Sequence, residues 1–322
     1  MPKTKKSLLK KFLPAVQENI SLKDISTFRI GGKAKYFFLA ENKDDLIKAV
    51  KVAKEIKIPF LILGEASNVL ISDKPFKGLV IKIAFSGLKR SNSNILAFAG
   101  TPLQEVVNFA QKNSLSGLEW AVGIPGTIGG AVCTNAGAFT KSISKLVKEI
   151  EVLDIETLKV KKLSFKKCFF SNKDSIFKKK KNFIILSVLL KLKKGKKQEI
   201  KKTMERYLKY RKETQPLKGF SAGCIFKNLK KKVKRKKLLE QYPELKTFNK
   251  KGMIPAGFLI EKCGLKGVKE GKAQISKKHA NFIVNLGGAK AKDVLRLIKK
   301  IKKEVKNKFG VLLEEEIEFI NT

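Results

Sequence analysis

The chain is poor in the side chains that most often do acid–base chemistry. It has one histidine, His279, and four cysteines, Cys133, Cys168, Cys224 and Cys263. No C-x-x-C pair occurs, which argues against a zinc site or a redox dithiol, and no metal is expected. A Ser-His-Asp triad would rest on His279 alone, and that residue falls in a core-like segment that reads as structural. The conspicuous stretch is GLEWAVGIPGTIGGAVCTNAGAF (117–139), which holds six glycines, one charge (Glu119) and no lysine. Glycine-rich backbone lets main-chain N–H groups approach an anion and form a nest around phosphate. A tight packing loop explains the same residues, and glycine count alone leaves both readings open. Neither G-x-G-x-x-G nor the Walker pattern is present.

A second small-residue turn tips the balance. The strand PFLIL (59–63) runs into Gly64-Glu65-Ala66-Ser67-Asn68. Two such loops suit a pyrophosphate held from both sides. Near the C-terminus, Glu314 and Glu316 share a face if 311–320 is a strand, although an acidic edge in a basic protein reads the same way. Cys224 carries a thiol whose reference pKa of about 8.5 suits proton transfer. Taken alone, it reads better as a small buried hydrophobe.

The elements that must position these residues alternate. Residues 42–56 predict a helix with Asn42 as N-cap and Leu46, Ala49, Val50 and Ala53 on one face. A buried strand (59–64) follows. A second βα-like step then runs through LVIKIAF and ILAFAG into a helix with Thr101 as N-cap, Pro102 at the first position and Gln104 completing a capping box. A hairpin is expected across Glu156-Thr157, a strand over 182–192, and a lysine-rich helix over about 196–212. Beyond Gln215-Pro216 come a helix ending at Gly264, the strand NFIVN, a helix over 291–308 closed by Gly310, and a last strand over 311–320. The pattern is α+β with a boundary near 205–218.

The formal net charge is +43 over 322 residues. Lysine supplies nearly all of it; arginine occurs only at Arg29, Arg90, Arg206, Arg211, Arg235 and Arg296. A nucleic-acid reader would use more arginine for bidentate contacts, so no specific nucleic acid is expected and the lysines read as a solvated surface. Such a surface steers anionic substrates inward. No apolar run is long enough to span a bilayer, the N-terminus lacks a signal-peptide core, and a cytoplasmic protein with no membrane partner is expected.

Six segments then cease to be generic: STFRIGGKAKYF (26–37), LGEASNVLISD (63–73), GIPGTIGGAVCTNAGAF (123–139), SAGCIFKN (221–228), AGFLIEKCGLKG (256–267) and SKKHANFIVN (276–285). In this order they resemble the UDP-N-acetylenolpyruvoylglucosamine reductase family, in its shorter type II form, from about Glu18 to Ile320. The resemblance implies an α+β fold with an FAD-binding module of PCMH (vanillyl-alcohol-oxidase) type. That module would occupy 23–204, in lobes of about 23–78 and 79–204. A basic N-terminal segment (1–22) would precede it, and a smaller substrate-binding domain (205–322) would follow. It implies flavin contacts at Arg29, Ile30, Gly31 and Gly32, at Gly64, Glu65, Ala66, Ser67 and Asn68, and at Gly123, Ile124, Pro125, Gly126, Thr127, Gly129, Gly130, Ala131, Asn135, Gly137 and Ala138. The glycine stretch would then be uncharged because its backbone wraps FAD.

The implied reaction is the reduction of UDP-N-acetylglucosamine-enolpyruvate to UDP-N-acetylmuramate in peptidoglycan precursor synthesis, with NADPH as reductant, FAD as hydride carrier and a monomeric enzyme. Cys224 stands where the family has a proton-donating serine. Glu316 matches the family's C-terminal catalytic glutamate, with Glu314 one register away. Lys173 replaces a catalytic arginine, and Asn172 its neighbouring tyrosine. Lysine keeps the charge but loses the planar fork. Ala66 stands where a glycine is common. Arg211, Lys227, Asn228 and Glu261 are the implied substrate contacts. Three further readings stay open beside this one: a degenerate flavin-binding homologue of weak or no activity, a PCMH-type flavoenzyme with another substrate, and a polyanion-binding protein.

Overall fold

The structure is a computed structural model that describes residues 5–321. The first four residues of the expected basic segment lie outside the described residues, as does the last residue. Chain contacts divide the molecule into two compact units. The first comprises the N-terminal stretch to Ile20, Ala34–Ala66 and Phe76–Arg211, and the second comprises Ser21–Lys33, Ser67–Pro75 and the chain from Lys212. The units are discontinuous and do not follow the contiguous boundaries read from sequence. The helix Lys197–Thr214 joins the first unit through residue 211, and the segments at 21–33 and 67–75 join the second. Strand pairing explains one of these exchanges: Val69–Ile71 runs parallel to Glu318–Ile320 near the C-terminus.

The first unit holds two principal sheets. One has the strand order Gln17–Ser21, Lys33–Ala40, Phe76–Ile83, Phe60–Leu63, with the last strand pairs parallel. The helix Lys43–Glu55 connects two of these strands. Asn42 caps it as expected, its side chain accepting from Asp45 N at 2.8 Å, and the predicted apolar face is buried. The strand Phe60–Leu63 is mostly half-buried rather than buried. The other sheet is antiparallel, in the order Val160–Ser164, Val147–Asp154, Phe183–Lys191, Asn94–Phe98, Leu88–Ser91. The expected second βα step is therefore two things: Phe76–Ile83 belongs to the parallel sheet, and Asn94–Phe98 forms a hairpin in the antiparallel one. The capping box at Thr101 also does not form. The helix begins at Leu103, and Thr101 Oγ1 instead bonds to the main chain of Gly87. Gln104 turns to accept from Gly123 N at 2.8 Å. One continuous apolar core, including Trp120, Leu46 and Val188, fills this unit.

The second unit packs the helices Ala256–Lys262 and Ala291–Phe309 with the small sheet Lys269–Glu270, Ala273–Ile275, Ile283–Asn285 around its own core of Phe28, Phe226, Leu259 and Ile301. Gly310, at φ +69°, closes the long helix as expected. Residues 311–320 do not form the single strand expected. Only Glu318–Ile320 is regular, and Glu315 makes an isolated antiparallel bridge to Phe226.

The hairpin across Glu156-Thr157 forms as expected, closed by a carboxylate. Asp154 Oδ1 accepts from Glu156 N at 2.9 Å and Thr157 N at 3.1 Å, and Oδ2 from Lys161 Nζ at 2.6 Å. These bonds, the lysine's first, hold the Asp154 pKa at about 2, below its reference value of 3.8. A depressed carboxylate pKa means that the contribution is complete above pH 3.8 and is lost as pH falls toward 2. Urea unfolding of wild type and Asp154→Asn should therefore differ by a constant midpoint gap at neutral pH. That gap should shrink as pH falls through this window.

Candidate functional site

In the first unit the glycine stretch is tied down by its neighbours. Thr127 caps the short helix Ile128–Cys133, its Oγ1 accepting from Gly130 N at 3.2 Å. Ile128 N donates to Thr101 O and Gly129 N to Ala99 O. These N–H groups are committed inside the protein. Gly129 is buried against Ala99, which a Cβ would approach to 3.0 Å, whereas Gly130 is exposed and has room for a close approach from outside. A Cβ on Gly64 would lie 2.7 Å from Thr127 Oγ1, so the missing side chain lets the two small-residue loops meet. The two loops thus pack directly on each other at this point, and a surface beside them whose walls lack side chains fits an extended pyrophosphate-bearing ligand. Ala66, next in the turn, has φ +47°, a left-handed conformation that costs a non-glycine residue roughly 1–2 kcal/mol. Glu65 pairs with Lys82 at 3.4 Å.

The end of the glycine stretch is stitched to the segment carrying Lys173. Asn135 Nδ2 donates to Ser171 O at 2.6 Å, Ser175 Oγ to Cys133 O at 2.5 Å, and Lys173 Nζ to Gly137 O at 2.9 Å. Lys173 itself is left-handed, at φ +57°. The structure thus brings Lys173 to Gly137 within this unit. Arg211 is buried beside the same stretch. Its Nη2 donates to Trp120 O at 3.1 Å, and its guanidinium lies 5.5 Å from the centre of the Phe139 ring. Phe139 stacks on Tyr207 at 4.3 Å. Sequence reasoning missed this aromatic wall, whose signal was the helical spacing of Tyr207, Tyr210 and Arg211.

The remaining expected residues lie in the second unit. Arg29, at φ +54°, sits 3.5 Å from Asp24 and 5.5 Å from the Phe220 ring centre. A Cβ on Gly32 would lie 2.5 Å from the carbonyl oxygens of Asp73 and Lys74, which makes glycine obligatory there. Arg29, Ile30 and Gly31 line a cavity of about 440 Å³ together with Lys23, Asp73 and Phe220. Asn68 is tied to the C-terminal segment: its Nδ2 donates to Glu316 O at 3.3 Å, and its carbonyl accepts from Glu318 N at 3.0 Å.

Cys224 lies in a segment held on both edges. Cys224 bridges to Phe282, and Ile225 N donates to Asn281 O at 2.8 Å. On the other edge Glu316 N donates to Ile225 O at 2.8 Å, and Lys227 N to Glu314 O at 2.9 Å. The Asn281 side chain adds a bond to each main-chain polar group of Phe226. Sequence reasoning passed over Asn281 and Asn285, and the asparagines bracketing the apolar run NFIVN were the available signal. Among the three glutamates, Glu314 is exposed and pairs with Lys227 at 3.6 Å, while Glu315 pairs with Lys302 at 2.8 Å. Glu316 is half-buried, one main-chain bond from the residue after Cys224.

Asn228 Oδ1 accepts from Ala256 N at 3.1 Å, at the start of the helix Ala256–Lys262, and Glu261 pairs with Lys266 at 2.7 Å. His279 is structural, as expected: its Nδ1 accepts from Asn281 N, its ring packs on Phe282, and burial lowers its pKa. Burial pushes the thiols of Cys168 and Cys263 up to about 11. Among the described residues, no group of three or more His, Cys, Asp or Glu side chains could hold a metal.

Two substitutions in one turn should act in opposite directions. Gly64→Ala forces its methyl into Thr127 and should destabilise by about 1–3 kcal/mol. Ala66→Gly removes the left-handed strain and should be neutral or stabilising, by up to about 1 kcal/mol. Urea unfolding of the two variants checks both signs.

Comparison with known proteins identifies the family. Residues 34–164 match the family model of an FAD binding domain, and residues 215–320 match that of the UDP-N-acetylenolpyruvoylglucosamine reductase C-terminal domain. The chain is 43% identical to the UDP-N-acetylenolpyruvoylglucosamine reductase of Caldicellulosiruptor saccharolyticus over 303 residues, covering 93% of this chain and 90% of that protein. It is 37% identical to that of Anoxybacillus flavithermus over 322 residues, 99% of each. Among solved structures, the enzyme from Thermus caldophilus superposes with a TM-score of 0.74 at 33% identity, covering 94% of this chain and 97% of that one. With an FAD-binding domain of PCMH type in its first part and the family's own C-terminal domain in its second, the chain belongs to the UDP-N-acetylenolpyruvoylglucosamine reductase family.

Proposed function

We propose that this protein reduces UDP-N-acetylglucosamine-enolpyruvate to UDP-N-acetylmuramate at the expense of NADPH. The observation that carries the reading is the double-edged grip on Cys224–Lys227, which ties the candidate proton donor to the Glu316 segment. The family's proton donor falls at this position, and a thiol held by main-chain bonds on both edges suits transfer to a fixed carbon.

FAD, when bound, supplies the hydride carrier between NADPH and the enolpyruvyl double bond. The chain's own residues do the rest. In the first unit, Gly64, Ala66, Thr127 and the glycines of 123–137 line the close-approach surface for the dinucleotide. Lys173, held by its bond to Gly137 O, offers the positive charge that stabilises an enolate. In the second unit, Cys224 Sγ–H gives its proton to the carbon beside the one that receives hydride. Glu316 is the proposed companion carboxyl group, because its main chain is bonded to Ile225, the residue after Cys224. Arg29–Gly32, Ser67 and Asn68 remain proposed flavin contacts, and Arg211, Lys227, Asn228 and Glu261 proposed substrate contacts. The bonds of Arg211 to Trp120 and of Asn228 to Ala256 support a positioning role for these two. We read the enzyme as a cytoplasmic monomer.

Separating the half-reactions tests the donor. In stopped-flow measurements Cys224→Ala should keep flavin reduction by NADPH within a few-fold of wild type. It should slow reoxidation by the enolpyruvyl substrate about 10²–10⁴-fold. Glu316→Gln should show the same asymmetry, while Glu314→Gln stays near wild type. Equal loss of both half-reactions in Cys224→Ala would remove Cys224 from the role, and a reversed order of the two glutamates would move the carboxyl group to Glu314.

A further inference from the structure

The segment Phe165-Lys166-Lys167-Cys168-Phe169-Phe170 is folded against the usual rule for apolar side chains. Its inward anchor is Cys168, which is fully buried with its thiol on Ser164 O. Two of its three phenylalanines face solvent: Phe165 is 46% exposed and Phe169 69%. Phe169 also has φ +45°, a conformation that suits glycine or asparagine and strains a phenylalanine. A polar residue there would cost the fold nothing, so neither the strain nor the exposure has an explanation in packing. Phe165 and Phe170 are in ring contact at 5.8 Å, and Phe170 leads to the buried Phe177 at 6.5 Å. That chain of rings joins Phe165 to the short helix Ile176–Lys179 and to the lysines at its end.

The charge of this segment is mostly of one sign, and Glu149 on the neighbouring strand is paired with Lys162 at 3.2 Å. Residues 165–181 contain seven lysines and a single acid, Asp174, which pairs with Lys179 at 3.0 Å. Lys166, Lys167, Lys180 and Lys181 are exposed. Exposed aromatic side chains and exposed lysines in one segment combine the two signals that reversible adsorption to a lipid surface requires, apolar insertion and attraction to anionic headgroups. The cations are all lysine, compact point charges suited to a fluid headgroup layer. A nucleic-acid groove would call for arginine forks. The expectation of no membrane partner rested on the absence of a spanning run, and a surface patch leaves no such mark in sequence.

We infer that the patch formed by Phe165, Phe169 and the lysines beside them docks this protein reversibly on an anionic lipid surface. Co-sedimentation with vesicles tests it, comparing phosphatidylcholine alone with phosphatidylcholine plus phosphatidylglycerol. Wild type should bind only the anionic vesicles, and salt should weaken the binding. Lys166→Gln and Lys167→Gln should each reduce affinity about fivefold. Phe169→Gly is the decisive variant, because it relieves the strained backbone. It should melt no lower than wild type and yet lose about tenfold in vesicle affinity. Failure of wild type to bind anionic vesicles would overturn the inference, as would unchanged binding by Phe169→Gly. Phe169-dependent binding to a single-stranded oligonucleotide without vesicle binding would likewise overturn it and assign the patch to nucleic acid.

Discussion

Everything proposed for the chemistry of the second unit depends on one main-chain arrangement. The four residues Cys224–Lys227 are hydrogen-bonded on one edge to the segment at Asn281–Phe282 and on the other to Glu314–Glu316. These pairings are isolated bridges and not regular strands. The bond donated by Glu316 N to Ile225 O sets the register of the acidic run. The Asn281 side chain, bonded to both polar groups of Phe226, keeps the middle segment from slipping. A slip of one residue would exchange Glu316 for a neighbour. The same register fixes the ion pairs of Glu314 with Lys227 and of Glu315 with Lys302.

The first unit solves a different problem, that of bringing polypeptide close to a large ligand. Its solution is to omit side chains where backbones must meet, as at Gly64 against Thr127, and to tie the resulting loops down from outside. Gln104, Asn135 and Ser175 each spend a side-chain bond on the glycine stretch or its flank. Lys173 belongs to the same scheme. Its ammonium group is held by a carbonyl of the stretch, which fixes a flexible side chain that lacks the two-point grip of a guanidinium. Left-handed Ala66 and Lys173 show that the loops hold backbone strain, which persists only where the surroundings over-determine the conformation.

Much of this was legible in the sequence. The helix behind Asn42, the hairpin at Glu156-Thr157 and the Gly310 stop are local, each set by a cap or turn residue within a few positions. The capping box at Thr101 was not legible, because Gly87, remote in sequence, competes for the hydroxyl group. The last strand was expected to be continuous over 311–320, whereas its partners change from Phe226 to the Val69–Ile71 strand along its length. The discontinuous units were invisible for the same reason: pairing between Val69–Ile71 and Glu318–Ile320 spans most of the chain. In the candidate site, the residue types were readable and their supports were not. Asn281 and Asn135 act through bonds to backbone distant in sequence, which no local pattern announces.

The most direct test of the central claim is the absorption spectrum of the purified protein, followed anaerobically through addition of NADPH and then of UDP-N-acetylglucosamine-enolpyruvate. The account predicts a yellow protein that bleaches with NADPH and recovers its colour with the enolpyruvyl substrate, lysine at position 173 notwithstanding. A protein that bleaches and stays bleached would contradict the assigned substrate, and one that FAD cannot turn yellow would contradict the flavoenzyme itself.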